Sequence, residues 1–133
     1  MEITYKRIQV FKEEDLVRLF TSVGWVDYSA AYPERLQMAM LNSHSVFSAW
    51  DGDRLVGLLS TMSDSMHVYI MYLLVEPEYQ GQGIGKELLR LCLNRYKNCI
   101  IILNTSDKTK GFYSSANFGF VEHLDGLVKV GQL

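Results

Sequence analysis

The sequence predicts an α/β (α+β) fold: one mixed, twisted central sheet of about six to seven strands, flanked on both faces by about four helices. Three observations carry this. Apolar, β-rich runs surround a helical pattern between residues 68 and 103, which implies a strand–helix–strand unit with a right-handed crossover. Hairpin signals lie on either side of that unit, at Asp51-Gly52-Asp53 and at Asp125-Gly126. Between strand and helix stands the glycine-rich segment Val75-Glu76-Pro77-Glu78-Tyr79-Gln80-Gly81-Gln82-Gly83-Ile84-Gly85-Lys86.

Each element follows in order. Ile3 to Val10 alternates apolar and polar with one slip, and reads as a first strand. Glu13 to Ser22 sets Leu16, Val17, Leu19 and Phe20 on one helical face, and Gly24 ends the helix. Pro33 opens a second helix, to Leu41. Ser45 to Trp50 and Arg54 to Thr61 form a hairpin. Val68 to Val75 has the unbroken apolar character of a central strand buried on both faces. Gly83 to Tyr96 is an amphipathic helix closed by Asn98, and Cys99 to Leu103 a further buried strand. Asp107 to Asn117 reads as a short helix capped by Ser106 or Asp107. Phe120 to His123 and Leu127 to Val130 are the last strands. The free edge expected at Leu127 to Val130 would allow a homodimer.

The 133 residues are expected to form one domain, residues 1–133. A chain near this size buries roughly two-thirds of its unfolded surface, and 48% apolar content supplies the material. Thirteen basic residues against 15 acidic ones give a net charge of −2, without the basic stripe of a nucleic-acid binder. Cys92 and Cys99 lie in no metal-ligand spacing and read as reduced thiols. No run has the pattern of a signal peptide or the roughly 18 apolar residues of a membrane span. The expectation is a soluble, cytoplasmic protein that binds neither membrane nor nucleic acid.

The glycine segment carries the chemistry. A turn of this kind aims several backbone N–H groups at one spot, at the positive end of a helix dipole, and makes an anion site. A dinucleotide fingerprint needs G-x-G-x-x-G, whereas the spacing here is Gly81-x-Gly83-x-Gly85. A P-loop needs Ser or Thr after its lysine, but Glu87 follows Lys86. Both nucleotide folds are excluded on spacing.

Gln80-x-x-Gly83-x-Gly85, preceded by a strand ending in Val75-x-Pro77, resembles the acyl-CoA-binding signature of the GNAT family of N-acetyltransferases. The element order agrees with that family over nearly the whole chain. The resemblance implies that Gln80, Gly81, Gln82, Gly83, Ile84, Gly85 and Lys86 hold the CoA pyrophosphate. It implies that the strand ending at Leu73, Leu74 and Val75 is splayed from its neighbour. The freed backbone would then pair with the pantetheine arm, and an N–H near Leu74 would face the thioester carbonyl. Asn104 and Asp107 match positions that contact CoA beyond the next strand. Gly111-Phe112-Tyr113 with Phe118-Gly119-Phe120 resembles the family's C-terminal motif, which implies Phe112 as a cofactor-binding residue and places Tyr113 near the CoA sulfur. Tyr113 would protonate the leaving thiolate, as a phenol of pKa ~10 can. Gly119 stands two residues further from Tyr113 than the pattern has it. The reaction implied is acetyl transfer from acetyl-CoA to a primary amine, with no metal.

The acceptor half is less specified. Trp25, Tyr28, Tyr32 and Tyr72 would line it, an aromatic setting suited to a small-molecule amine. Many relatives carry a carboxylate on the central strand, but Tyr72 takes that place here. His67 and Glu76 are the nearest substitutes as base, though each reads first as a surface residue. That missing carboxylate leaves a second reading open, a non-catalytic acyl-CoA-binding sensor or interaction module.

Overall fold

The computed structural model describes residues 2–25, 31–105, 112, 119–123 and 126–131. The elements run β1 (Ile3–Arg7), α1 (Glu13–Ser22), α2 (Pro33–Asn42), β2 (Ser45–Asp51), β3 (Arg54–Ser63), β4 (His67–Val75), a 3-10 turn (Pro77–Tyr79), α3 (Ile84–Arg95), β5 (Ile100–Thr105), β6 (Gly119–His123) and β7 (Gly126–Gly131). The described strands form one sheet of seven, ordered β1-β2-β3-β4-β5-β7-β6. Only β4 and β5 pair in parallel, and α3 joins them. The expected class is present, and so is the expected order of elements among the described residues. The helix expected over 107–117 lies outside the described residues except for Phe112.

Local chemistry explains the helices. Glu13, Glu14 and Asp15 place negative charge at the positive end of α1. Its far end is a Schellman motif: Gly24 N–H donates to Thr21 O at 3.0 Å and Trp25 N–H to Phe20 O at 3.0 Å. The Phe20 and Trp25 rings meet edge to face, 6.3 Å apart, as the motif's hydrophobic contact. Pro33 occupies the first turn of α2, where its missing N–H costs nothing.

The helices cover opposite faces of the sheet. On one, Leu16, Leu19 and Phe20 of α1 and Leu36 and Met40 of α2 pack with Val46, Leu58 and Leu74. On the other, Ile84, Leu88 and Cys92 of α3 pack with Phe47, Leu59, Ile70 and Ile101. Gly57 allows α3 to come close, since an added Cβ would lie 3.2 Å from both Ile84 Cγ2 and Leu88 Cδ1. Burial pushes the Cys92 thiol up to about 12, so it stays protonated.

Several boundaries differ from expectation. β1 ends at Arg7 rather than Val10, because the chain leaves the sheet to dock on α2. The Gln9 amide donates to Met40 O at 3.1 Å and Ser43 O at 2.8 Å, and Gln37 bonds back to Gln9 O at 2.8 Å and accepts from Phe11 N–H at 2.6 Å. α3 stops at Arg95, before Asn98, where Tyr96 turns inward. The Tyr96 hydroxyl lies 2.7 Å from His44 Nδ1 and 3.1 Å from Thr61 Oγ1, in a buried polar cluster that also holds Ser45. β7 is not an edge: it returns between β5 and β6, which leaves β1 and β6 outermost. β4 is not buried on both faces either. Val68, Ile70 and Leu74 are buried while His67 and Met71 are exposed.

Candidate functional site: a glycine turn beside an opened sheet

The parallel ladder between β4 and β5 is short. It runs from His67↔Ile100 to Ile70↔Leu103 and then stops. β5 continues to Thr105 along β7, while β4 continues to Val75 along β3. At the parting point β4 carries a bulge. Ser60 faces Tyr72 and Thr61 faces Ile70, so Met71 is an extra residue without a cross-strand partner.

Alternation fixes which backbone groups face the gap. Glu76 N–H donates to Val56 O at 2.8 Å. The N–H and C=O of Leu74 therefore point toward β3, while those of Leu73 and Val75 point into the gap. This corrects the expectation for Leu74. Its backbone is taken by β3, and its side chain is buried against α1 and α2.

The glycine turn begins where β4 ends. The Gln80 side-chain amide donates to Val75 O at 2.9 Å and closes the chain on itself. Gly81 and Gly83 have φ of +77° and +86°, values that favour glycine. An added Cβ at either would meet nothing within 4 Å, and one at Gly85 would reach only ordinary contact with the Phe112 ring at 3.5 Å. These glycines therefore relieve no internal crowding. They leave the backbone open to an outside group. Glu87 N–H is bonded to Gly83 O at 3.0 Å, which leaves the amides of Ile84, Gly85 and Lys86 ahead of the first helical bond. They sit at the positive end of the 12-residue α3.

Turn and gap open into one cleft of about 490 Å³, lined by Leu73, Val75, Tyr79, Gln80, Gly81, Gly83, Ile84, Gly85, Lys86 and Phe112. All of these but Tyr79 were expected from the sequence. Gln82 is exposed and does not line the cleft; its amide lies 3.5 Å from Glu78 O. Asn104 lies on β5 past the parting point, opposite Val128 of β7. Asp107, Tyr113 and Tyr28 lie outside the described residues.

Across β4 from the cleft, Tyr72 meets Phe20 and Trp25 edge to face, at ring separations of 5.1 and 5.2 Å. Trp25 is 37% exposed, so this cluster has an open side. The structure thus brings Trp25 and Tyr72 together. Tyr32 instead packs under the Arg35 guanidinium, 4.6 Å from the ring centre.

Neither substitute base is free for the role. His67 lies at the far end of β4, with its ring 3.1 Å from Asp64 Oδ2. The backbone N–H of His67, with its ring and the Met66 N–H, holds the Asp64 carboxyl down to about 2. Glu76 is not a solvated loop residue but is 6% exposed. It accepts a two-pronged contact from Arg54, whose guanidinium is held above its usual pKa chiefly by that hydrogen bond.

A mixed sheet opened at one parallel pair, with a glycine turn and helix N-terminus at the opening, is the architecture of acetyltransferase domains. Residues 8–131 match the model of the acetyltransferase (GNAT) domain. The chain belongs to the GNAT acetyltransferase family. It is 31% identical over 121 residues to an uncharacterised N-acetyltransferase of Gracilaria tenuistipitata var. liui, and covers 85% of itself and 64% of that relative's length. A GNAT-family acetyltransferase from Streptococcus pneumoniae TIGR4 shares 35% identity over 89% of this chain and 88% of its own, with a TM-score of 0.76. The PaiA N-acetyltransferase from Thermoplasma acidophilum, solved in complex with coenzyme A, superposes over 100% of both chains with a TM-score of 0.82 at 15% identity.

Proposed function

We propose that this chain moves an acetyl group from acetyl-CoA to a primary amine. The observation that carries this is the parting of β4 from β5 directly before a glycine turn at a helix N-terminus. The pyrophosphate of CoA suits the amides from Gly81 to Lys86. The pantetheine arm suits the N–H and C=O of Leu73 and the N–H of Val75, as an added strand, the Val75 C=O being held by the Gln80 amide. The amine lone pair attacks the thioester carbonyl carbon, so an N–C bond forms as the C–S bond breaks. An N–H of Leu73 or Val75 bonds the developing oxyanion. Tyr113 gives its proton to the leaving thiolate, and the amine loses one to water. Trp25 and Tyr72 form the acceptor wall. Calorimetric titration with acetyl-CoA, followed by acetyl transfer across a panel of small amines, tests the proposal. Absence of binding at millimolar acetyl-CoA would overturn it.

One observation favours a second reading, a non-catalytic acyl-CoA-binding module. The open half of β4 carries no carboxylate, and Glu76 beside it is committed to Arg54. Tight CoA binding without transfer to any amine in the panel would select that reading.

A further inference from the structure

The segment joining β4 to the glycine turn is gripped chiefly from one hairpin tip, with a further contact from α1. Arg54 Nε donates to Glu76 Oε2 at 3.0 Å, and Arg54 Nη2 donates to Glu76 Oε1. Arg18 of α1 adds Nη1 at 3.6 Å from the same carboxylate, while its Nη2 donates to Leu55 O at 3.0 Å. Three residues after Glu76, the Tyr79 hydroxyl donates to Asp51 Oδ2 at 2.6 Å. Asp51 and Arg54 are register partners flanking the two-residue turn between β2 and β3. The hairpin tip therefore holds both ends of residues 76–79, which run straight into the glycine turn.

A buried carboxylate is a costly way to stabilise a fold, since desolvation offsets much of the Coulombic gain. A two-pronged guanidinium contact does fix direction as well as distance. Direction is what this region lacks by itself. Gly81 and Gly83 give the turn backbone freedom. Its amides serve an anion only if they are held at a set distance from the open edge of β4. The hairpin tip supplies that reference, because β3 also carries β4 through Gly57↔Val75 and the Glu76 N–H bond to Val56.

We infer that the Arg54–Glu76 pair and the Tyr79–Asp51 bond position the glycine turn for the diphosphate end of the acyl donor. Arg54, Glu76 and Asp51 act as positioning residues and touch no ligand themselves. The inference rests on the proposal that CoA occupies this cleft.

Two ligands separate it from general loosening of the fold: CoA, and pantetheine, which lacks the diphosphate. Arg54→Ala and Asp51→Ala are each expected to weaken CoA binding about tenfold, the scale of one lost preorganising contact. Pantetheine, followed by NMR titration, should bind both variants as it binds wild type. Arg54→Lys keeps the charge without the fork and should recover part of the loss. Unchanged CoA affinity in both alanine variants, with wild type binding CoA, overturns the inference alone. Equal weakening of CoA and pantetheine also overturns it, because that marks a purely structural role. A wild type that fails to bind CoA overturns the underlying proposal, and the inference with it.

Discussion

Along β4, Val68 to Ile70 pair with β3 on one side and β5 on the other, whereas Tyr72 to Val75 pair with β3 alone. The two stretches are similar in composition, and both are apolar and β-rich. They differ in what their backbone is left to do. In the first, every ladder position is spent on the fold. In the second, the N–H and C=O of Leu73 and the N–H of Val75 face a gap, while the Val75 C=O accepts from the Gln80 amide. The bulge at Met71 marks the change from one regime to the other. A surface built this way owes its polarity to topology rather than to side chains, which is the feature the proposed pantetheine site would use.

That contrast can be broken or sharpened by substitution. The largest effect is expected at Gly83, which borders the open half. Gly83→Val places a β-branched residue at φ +86°, at a cost of about 1–3 kcal/mol, and puts methyl groups in the anion's approach. CoA affinity by calorimetry should fall about a hundredfold; binding within threefold of wild type would remove the turn from the site. Next, Tyr113→Phe should lower turnover by about a hundredfold, as loss of a general acid does, with little change in the apparent Michaelis constant for acetyl-CoA. Unchanged turnover would end the acid role.

Gly57, on β3 opposite Val75 and under α3, should respond in stability first. Gly57→Ala sets a methyl 3.2 Å from Ile84 and Leu88. Overpacking of this kind costs about 1–3 kcal/mol, read as a lower urea midpoint. Trp25→Ala probes the far face of β4. It should raise the Michaelis constant for the amine by a few-fold, the scale of one cation–π contact, and leave CoA affinity unchanged. A loss of CoA affinity would mean the two faces are not separate sites.

The smallest effect belongs to Asp64, at the opposite end of β4. Its folded pKa of about 2 lies below its ordinary value, so its contribution is present above roughly pH 4. It is lost as pH falls through 2. The small difference in thermal midpoint between wild type and Asp64→Ala should therefore narrow over that window. A difference that grows toward pH 2 would contradict the assigned cause.

Much of this was legible in the sequence, for identifiable reasons. α1 announced itself through its apolar face and Gly24. The glycine turn was legible because its backbone needs positive φ at Gly81 and Gly83, which singles out glycine locally. The end of β1 was not, because Gln9 and Gln37 decide it by long-range bonds that no local pattern encodes. The bulge at Met71 was equally silent, since it is a register shift between two apolar strands. Glu76 looked like a loop residue because its partners Arg54 and Arg18 are distant in sequence. Tyr79 went unassigned as a cleft residue for a related reason, as its anchor is Asp51.

The most direct test is a two-dimensional ¹⁵N–¹H NMR titration of the protein with CoA. With CoA in the cleft, the amides of Leu73, Val75 and Gly81 to Lys86 are expected to shift with one common affinity, while those of Val68 to Ile70 stay in place. No shifts at millimolar CoA, or shifts centred on the closed half of β4, would contradict that placement.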